Sequence, residues 1–483
     1  MHKKNYSFKV TAYALTKGLK TAIIFYSMAK FIKKIRDRLK KVASSLTLWL
    51  TPGIGIKRWL LVVLVGTTFI ALGFAVLILD LYRETEISWL RLIFNFISLS
   101  FLPRWLRALI FGGAGLIILS VGIWELNRSI LKPFVKPGQP FIDTLADFKK
   151  RSRGPRIVAI GGGNGLASLL RGLKKYTHNL TAIVTVADDG GSSGELRKNL
   201  GILPPGDIRN CLTALADDEE MLSHVFRYRF GERAGVNGHS LGNLFISALT
   251  DITGSFEAAV AESGRVLAVR GRVLPSTLHD VKLVAEIKLA NQEKQIKVVG
   301  ESVIPQLDGT ISHLWLEPDN PLPFPPAVQE ILNADLIIIG PGSLYTSVLP
   351  NLLVPGLADA IRASKAIKFL VCNVANQRGE TMGYTSSDHI QVIEKHISDI
   401  HFDIIICNND LTHHVSDQAE MVVPDPGLEE QYSMYFAALV DANNHCRHDS
   451  SKLAEVITDL YFERTGPLMG GKLSSTENGL KMI

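Results

Sequence analysis

The sequence predicts an α/β protein with a Rossmann-like, mostly parallel sheet and a small antiparallel β insertion, preceded by a two-helix transmembrane hairpin. Three observations predict this class. Two long uncharged runs lie in the N-terminal third of the 483 residues. After Pro155, short β-branched runs alternate with helical segments, as in a sheet that is covered on both faces. Between residues 264 and 317, apolar and polar residues alternate without a helical segment, which predicts the insertion.

Residues 1–57 are predicted to form a basic cytoplasmic tail. Residues 1–58 contain 14 Lys and Arg against one acidic residue, Asp37, and the rest of the chain has a net charge of −7. A domain that binds nucleic acid needs a basic face of its own, so we expect no nucleic-acid partner for the main domain. The tail is suited to anionic membrane lipid, and a solvated, disordered arm is the alternative.

Residues 58–126 are predicted to form the transmembrane hairpin. Trp59–Leu79 is an uncharged run of 21 residues, and Ala108–Trp124 is a second one of 17, near the lower limit for a span. A buried core helix is the alternative for the shorter run. Basic residues flank the pair, so both termini and the main domain are predicted to be cytoplasmic, with two spans in the cell membrane. Residues 127–153 are predicted to be a juxtamembrane linker.

Residues 154–483 are predicted to form the α/β domain, with residues 264–317 as its β-rich insertion. The predicted strands are Arg156–Ile160, Thr181–Ala187, Asp335–Ile339, Lys368–Val374 and Phe402–Cys407. Loops rich in glycine and polar residues follow several of them. Because open α/β sheets bind ligands at the carboxyl ends of their strands, these loops are the candidate site.

Five such loops contain residues suited to a phosphorylated ligand. Glycines at a helix start let backbone N–H groups approach a phosphate, and an arginine such as Arg209 matches its geometry. The spaced dinucleotide fingerprint and the P-loop lysine are absent, and tight turns or helix caps are the alternative reading. The candidate ligand-binding residues are Gly161, Gly162, Gly163, Asn164, Gly165, Ser192, Ser193, Asp207, Arg209, Asn210, His239, Ser240, Asn243, Gly340, Gly342, Ser343, Tyr345 and Thr346.

Two adjacent carboxylates, Asp188 and Asp189, follow the second predicted strand. Either one could bond a ribose hydroxyl or a metal-bound water, although Asp-Asp-Gly-Gly is also good turn chemistry. If the protein is an enzyme, this pair is predicted to be catalytic and to hold a divalent metal, with Mg²⁺ the expected ion. A serine-nucleophile mechanism finds little support, because the sequence has no G-x-S-x-G elbow.

Six motifs follow one another along the chain, at Ile160–Gly165, Thr185–Gly194, Pro205–Asn210, Gly238–Leu244, Gly340–Ser347 and Gly379–Tyr384. They resemble those of the bacterial gluconeogenesis-factor family (YvcK-like), which is related to the 2-phospho-L-lactate transferase (CofD). The resemblance covers about residues 154–470, and the usual member of that family is soluble, so the predicted hairpin is a departure.

The resemblance implies a Rossmann-like domain that binds a nucleotide diphosphate, with UDP-sugars as the ligands of the YvcK branch. It implies a role in cell shape and envelope-precursor metabolism during gluconeogenic growth. In the transferase branch the related fold binds GDP and a deazaflavin with an acidic pair and a divalent metal, and Asp188 and Asp189 hold the corresponding positions. The loops at Gly161–Gly165 and Gly340–Ser343 would then lie near the diphosphate.

Three functions follow as hypotheses. The first is a nucleotide-sugar-binding regulator without turnover. The second is a transferase that moves a phosphate-containing group from a nucleotide-activated donor. The third is a non-binding membrane scaffold, which the presence of all six motifs disfavours. The sequence leaves open whether the protein forms a homo-oligomer.

Overall fold

The structure is a computed structural model that describes residues 101–131, 148–217, 219–231, 238–289, 295–412, 415 and 419–466, with single positions between 67 and 99. The chain divides into two compact units, Met1–Lys149 and Lys150–Ile483. The boundary lies close to the predicted start of the α/β domain at residue 154.

The N-terminal unit contains helix α1, Arg104–Leu131. Its segment Arg104–Val121 has a mean hydropathy of 1.5 and is not buried against protein. Among the residues that the structure describes, α1 is the one single helix with the length and composition to cross a membrane. The other predicted span, Trp59–Leu79, lies mostly outside the described residues, so the two-helix hairpin stays a prediction.

The second unit is built on a seven-stranded sheet. Its strands are β1 (Ile157–Gly161), β2 (Leu180–Val184), β3 (Arg272–Pro275), β7 (Leu336–Ile339), β8 (Ile367–Val371), β10 (Ile404–Asn408) and β12 (Met434–Ala437). They lie in the order β12-β10-β8-β7-β1-β2-β3. All neighbouring strands are parallel, which confirms the predicted sheet. Side chains such as Ile160, Ile183 and Ile338 are fully buried, and burying each contributes about 1.5–3 kcal/mol.

Helices cover the sheet and begin where its strand-end loops finish. They are α2 (Gly163–Leu173), α3 (Gly191–Leu200), α4 (Gly206–Leu215), α5 (Glu219–Arg227), α6 (Leu241–Thr253), α7 (Phe256–Val266), α8 (Pro325–Asn333), α9 (Leu349–Leu352), α10 (Pro355–Ala363), α11 (Ser386–His396) and α12 (Ser450–Thr465). Helix α2 packs against α4 and α12. A Cβ at Gly172 in α2 would lie 1.9 Å from the Ser450 carbonyl oxygen of α12, so glycine is required at this contact.

The antiparallel insertion is present but is shorter than predicted. It consists of β4 (Lys282–Leu289), β5 (Gln295–Val299) and β6 (Gly309–Glu317), in the order β5-β4-β6. Residues 264–281, which the sequence assigned to it, contain the end of α7 and the strand β3, which belongs to the parallel sheet. Strands β9 (Ala375–Gln377) and β11 (Ala419–Met421) form a separate antiparallel pair.

The strand order reverses between β1 and β7. From β1 the chain continues to β2 and β3 on one side, whereas β7, β8, β10 and β12 lie on the other. The register places Ile160 of β1 beside Ile183 of β2 and Ile339 of β7, so these three strands end at one level. In open α/β sheets a ligand binds outside the carboxyl ends of the strands at such a switch point.

Candidate functional site

Two glycine loops pack on each other at the switch point. The Gly340 N–H donates to the carbonyl oxygen of Ile160 at 2.9 Å. A Cβ at Gly165 would lie 2.6 Å from the Pro341 carbonyl oxygen, so only glycine allows this approach of the two backbones. The buried Asn351 side chain donates to the Gly161 carbonyl oxygen at 2.9 Å and holds the loop after β1 against the loop after β7.

The first turn of α2 receives a carboxylate from the protein itself. The Gly163 N–H donates to Asp207 Oδ2 at 2.7 Å. A Cβ at Gly162 would lie 2.6 Å from the same oxygen, so this glycine makes room for the Asp207 carboxyl group. Burial and the negative charge of Asp188 raise the pKa of Asp207 to about 6, against the lowering effect of the Gly163 bond. The helix start that the sequence assigned to a ligand phosphate therefore already has an anionic partner.

The predicted acidic pair, Asp188 and Asp189, contacts two different elements. Asp188 Oδ1 accepts from the Gly190 N–H at 2.9 Å, and burial raises the pKa of its carboxyl group. Asp189 Oδ1 instead accepts from the Ser302 N–H at 2.9 Å, at the turn that follows β5 of the insertion. Asp189 thus connects the insertion to the loop after β2. The negative charge of Asp188 acts instead on the buried Asp207 carboxyl group and raises its pKa.

Arg209 of α4 is the centre of a buried polar network. Its side chain donates to Asn243 Oδ1 at 2.9 Å, to Asn210 Oδ1 at 2.9 Å and to the Ser240 hydroxyl. Only 8% of its surface is exposed. Its Nε has no hydrogen-bond partner among the described residues. The network connects the first turn of α4 to the first turn of α6, where the Ser240 hydroxyl also accepts from the Asn243 N–H at 3.2 Å.

The same network reaches the loop after β2 through Ser192. The Ser192 hydroxyl lies 3.0 Å from His239 Nδ1 and accepts from Asn243 Nδ2 at 3.0 Å. His239 Nε2 lies 3.4 Å from a carboxylate oxygen of Glu195. Predicted residues from three separate motifs are therefore brought into direct contact.

The end of α5 and the β-bridge that follows it place two further arginines, Arg227 and Arg229, beside this network. Arg229 and Ser240 form an antiparallel β-bridge, and Arg229 donates to the Gly238 carbonyl oxygen at 2.7 Å. Burial lowers the pKa of Arg209 to about 10, and the next causes include the positive charges of Arg229 and Arg227. We call Arg209, Arg227 and Arg229 the arginine cluster.

The loop after β7 has its own polar partners. Ser343 donates to Gln377 Oε1 at 2.6 Å, and the Tyr345 and Tyr384 hydroxyls lie 3.0 Å apart. Thr346 donates to Glu380 Oε1 at 3.1 Å. Burial raises the pKa of Glu380 to about 7, and its Oε2 has no hydrogen-bond partner in the part of the chain that is described.

Glu301 of the insertion completes an acidic side of the site. Its carboxyl group is buried, and burial followed by the negative charges of Asp188, Asp207, Asp189 and Glu380 holds its pKa well above the usual value. Its Oε2 also has no partner among the described residues. Within those residues, no group of three or more His, Cys, Asp or Glu side chains is arranged to hold a metal ion.

The structure brings most of the predicted loops together, and it adds residues that sequence reasoning missed. Glu380 lies inside the motif Gly379–Tyr384, where the acid could have been noticed. No sequence motif points to Glu301, because it lies in a turn of the β insertion. Asn164 is exposed at the start of α2, outside the hydrogen bonds described above.

Comparison with known proteins agrees with the motifs. Residues 157–440 match the family described as 2-phospho-L-lactate transferase CofD. A gluconeogenesis factor of Bacillus subtilis is 45% identical over 318 residues, which cover 64% of this chain and 99% of that protein. A crystal structure of a UPF0052 family member from Bacillus halodurans is 44% identical with a TM-score of 0.59, and the match covers 63% of this chain and 99% of that one.

A relative from Nostoc sp. is similar over a longer stretch. It is provisionally named a gluconeogenesis factor and is 44% identical over 434 residues, which cover 86% of this chain and 92% of that protein. The unit Lys150–Ile483 is about two thirds of the chain, so this match extends into the N-terminal unit. The similarity to this relative is therefore longer than the resemblance over about residues 154–470 and includes part of the N-terminal unit.

Proposed function

The chain belongs to the CofD family, and we propose that it is a gluconeogenesis factor that binds a nucleotide sugar, with UDP-sugars as its ligands and regulation as its role. One observation carries the proposal. The loops after β1, β2 and β7 and the first turns of α4 and α6 meet at the switch point of a parallel sheet, which is where such sheets bind nucleotides. The proposed cellular role is in cell shape and envelope-precursor metabolism during gluconeogenic growth.

The polar groups at this position suit a ligand with both hydroxyls and phosphates. Acidic side chains such as Asp188 can accept from sugar and ribose hydroxyls. His239, Ser192 and Asn243 offer donors and acceptors, and the Ser192 hydroxyl lies 3.0 Å from a nitrogen of each of the other two side chains. Because these groups are held in place by their own contacts, little side-chain entropy would be lost when a ligand binds.

Ligand titration of the full chain in detergent tests this proposal. We expect UDP-N-acetylglucosamine or UDP-glucose to raise the unfolding midpoint more than GDP or GTP does, because a ligand that binds only the folded state stabilises it. Replacing His239 with Ala should weaken this effect, whereas replacing the exposed His279 with Ala should not. If none of the four nucleotides shifts the midpoint at millimolar concentration, both the regulator and the transferase proposals fail.

A transferase of the 2-phospho-L-lactate transferase type is the second candidate. It is favoured by the buried carboxyl groups of Asp188 and Asp207, which form no ion pair among the described residues, and by Glu380, whose pKa of about 7 suits a general acid or base. Mg²⁺ is commonly held by one or two carboxylates together with phosphate oxygens. Asp188 and Asp207 are the better-placed acids for this, since Asp189 is bonded to the insertion. Breakdown of a bound nucleotide sugar that requires Mg²⁺ and is abolished in Asp188→Ala would establish the enzyme.

We further propose that the protein is tethered to the cell membrane by two spans, with both termini and the main domain cytoplasmic. The apolar, exposed surface of α1 supports this, and the basic tail adds contact with anionic lipid. Carbonate extraction of membranes should leave the full chain in the pellet and release a chain that lacks residues 1–149. Release of the full chain would contradict the tether, and reporter fusions at the two termini would test the orientation.

A further inference from the structure

We propose that the arginine cluster of Arg209, Arg227 and Arg229 is an anion subsite of the cleft and holds the diphosphate of its nucleotide ligand. The identity of the ligand rests on the proposed function, but the presence of an anion site does not. The subsite lies where the β-bridge between Arg229 and Ser240 meets the first turn of α6. It differs from the loops at Gly161–Gly165 and Gly340–Ser343, near which the resemblance places the diphosphate.

Three positively charged side chains lie on adjacent segments at this position. Arg209 donates to the Ser240 hydroxyl, and Ser240 is the β-bridge partner of Arg229. Arg227 is two residues away at the end of α5. Other arginines, such as Arg156, Arg197 and Arg272, form ion pairs with acidic side chains. The three arginines of the cluster form no ion pair among the described residues, so their mutual repulsion is not offset there by a directly bonded acid.

The Arg209 side chain has an unsatisfied hydrogen-bond donor. Arg209 is 8% exposed, and its Nε has no partner among the described residues. Buried donors normally find a partner, and leaving one unpaired costs stability. The first turn of α6 lies next to this guanidinium, and the first turn of a helix favours negative charge. A phosphate group at this position would supply the missing acceptor and the missing negative charge together.

The start of α2 is the competing position for a diphosphate, and it is already occupied. It has an Asp207 carboxylate on its Gly163 N–H at 2.7 Å, and the negative charge of Asp188 acts on the same carboxyl group. A diphosphate placed there would have to displace Asp207 and would lie beside these two acids. Placed at the arginine cluster, it faces opposite charges and leaves Asp207 undisturbed. The acidic side then remains available for the hydroxyls of the ligand.

Calorimetric titration of the full chain in detergent with two probes, pyrophosphate and UDP-N-acetylglucosamine, tests the subsite. The double variant Arg227→Met/Arg229→Met removes two exposed charges and leaves the buried Arg209 network intact. We expect it to bind both probes about tenfold or more weakly, as the loss of charged hydrogen bonds predicts. Arg265→Met, which removes an exposed arginine of α7, is the matched control and should bind as the wild type does. Arg227→Met/Arg229→Lys, which keeps the positive charge at position 229, should bind both probes more tightly than the double Met variant does.

The outcomes separate the subsite from the proposed function. If the double variant binds both probes as tightly as the wild type, the subsite is wrong and the proposed function stands. If pyrophosphate binds in an arginine-dependent manner but no nucleotide binds, the subsite stands and the proposed function is wrong. If the wild type binds neither probe at millimolar concentration, both are overturned. Unfolding midpoints of each variant show directly whether any loss of binding comes from a loss of folding.

Discussion

The first turns of α2 and α6 share a local feature, but the side chain that lies against them is negative in one case and positive in the other. Each contains a glycine that allows a charged side chain to lie against the helix. At Gly162 that side chain is Asp207, and at Gly242 it is Arg209, whose Cδ would lie 2.6 Å from an added Cβ. Both helix starts can attract an anion. In α2 the protein supplies the anion itself, whereas beside α6 it supplies further cations, which prepares that position for an anion from outside.

A glycine-rich helix start therefore does not by itself show what the helix binds. The local sequence makes backbone N–H groups accessible, but the side chain that arrives from elsewhere in the fold decides what they bind. Asp207 is 44 positions from Gly163, and Arg209 is 31 positions from Ser240. Three predictions, in order of decreasing effect, test whether the two helix starts differ in this way.

The largest effect concerns the pH dependence of stability at the α2 start. Because the folded protein raises the pKa of Asp207 to about 6, the folded state binds this proton more tightly than the unfolded chain does. The stabilisation is complete below about pH 4 and is lost as the pH rises through about 6, a change of about 3 kcal/mol. Asp207→Asn keeps an acceptor for the Gly163 N–H and carries no charge. Its unfolding midpoint should match the wild type near pH 4 and exceed it above about pH 7.

The control for that series is Asp319→Asn, which changes an exposed aspartate. The difference between its thermal unfolding midpoint and that of the wild type should stay constant across the same pH range. If the difference for Asp207→Asn also stays constant, the Asp207 carboxyl group is not held in an unfavourable charged state, and the account of the α2 start is wrong.

The second prediction compares the two glycines directly. Gly162→Ala should push Asp207 Oδ2 away from the Gly163 N–H. Gly242→Ala should push the Arg209 and Phe226 side chains away from the first turn of α6. We expect each to lower the free energy of unfolding by about 2 kcal/mol, as overpacking of a tight contact does. Denaturant unfolding measures this change. Gly231→Ala, where an added Cβ meets nothing within 4 Å, should change the stability by less than about 0.5 kcal/mol, and an equal loss at all three glycines would refute the special role of the two contacts.

The third prediction concerns the serine caps of two consecutive helices. Ser240 caps α6 and also accepts from Arg209, whereas Ser255 caps α7 and accepts from no arginine in the described part of the chain. Ser255→Ala should cost about 1 kcal/mol, the usual effect of losing a cap. Ser240→Ala should cost about 2 kcal/mol, because a buried charged donor loses its acceptor as well. Equal losses in chemical unfolding would mean that the bond between Arg209 and Ser240 adds nothing.

The sequence predicted the parallel sheet and the loops of the site because their signals are local. Runs such as Leu336–Ile339 are short, β-branched and followed by glycine, and five predicted strands overlap the observed ones. Strand β3 was assigned to the insertion because its four residues do not show whether a neighbouring strand is parallel. Glu301, and the opposite charges beside the two helix starts, arise from contacts between distant segments. Local patterns carry no information about those contacts.

A crystal structure of the protein with bound UDP-N-acetylglucosamine tests the central claim most directly. The account predicts diphosphate oxygens within hydrogen-bonding distance of the guanidinium groups of the arginine cluster. It also predicts that Asp207 remains bonded to the Gly163 N–H. A diphosphate on the Gly163 N–H, with Asp207 displaced and the arginines of the cluster out of contact, would contradict it.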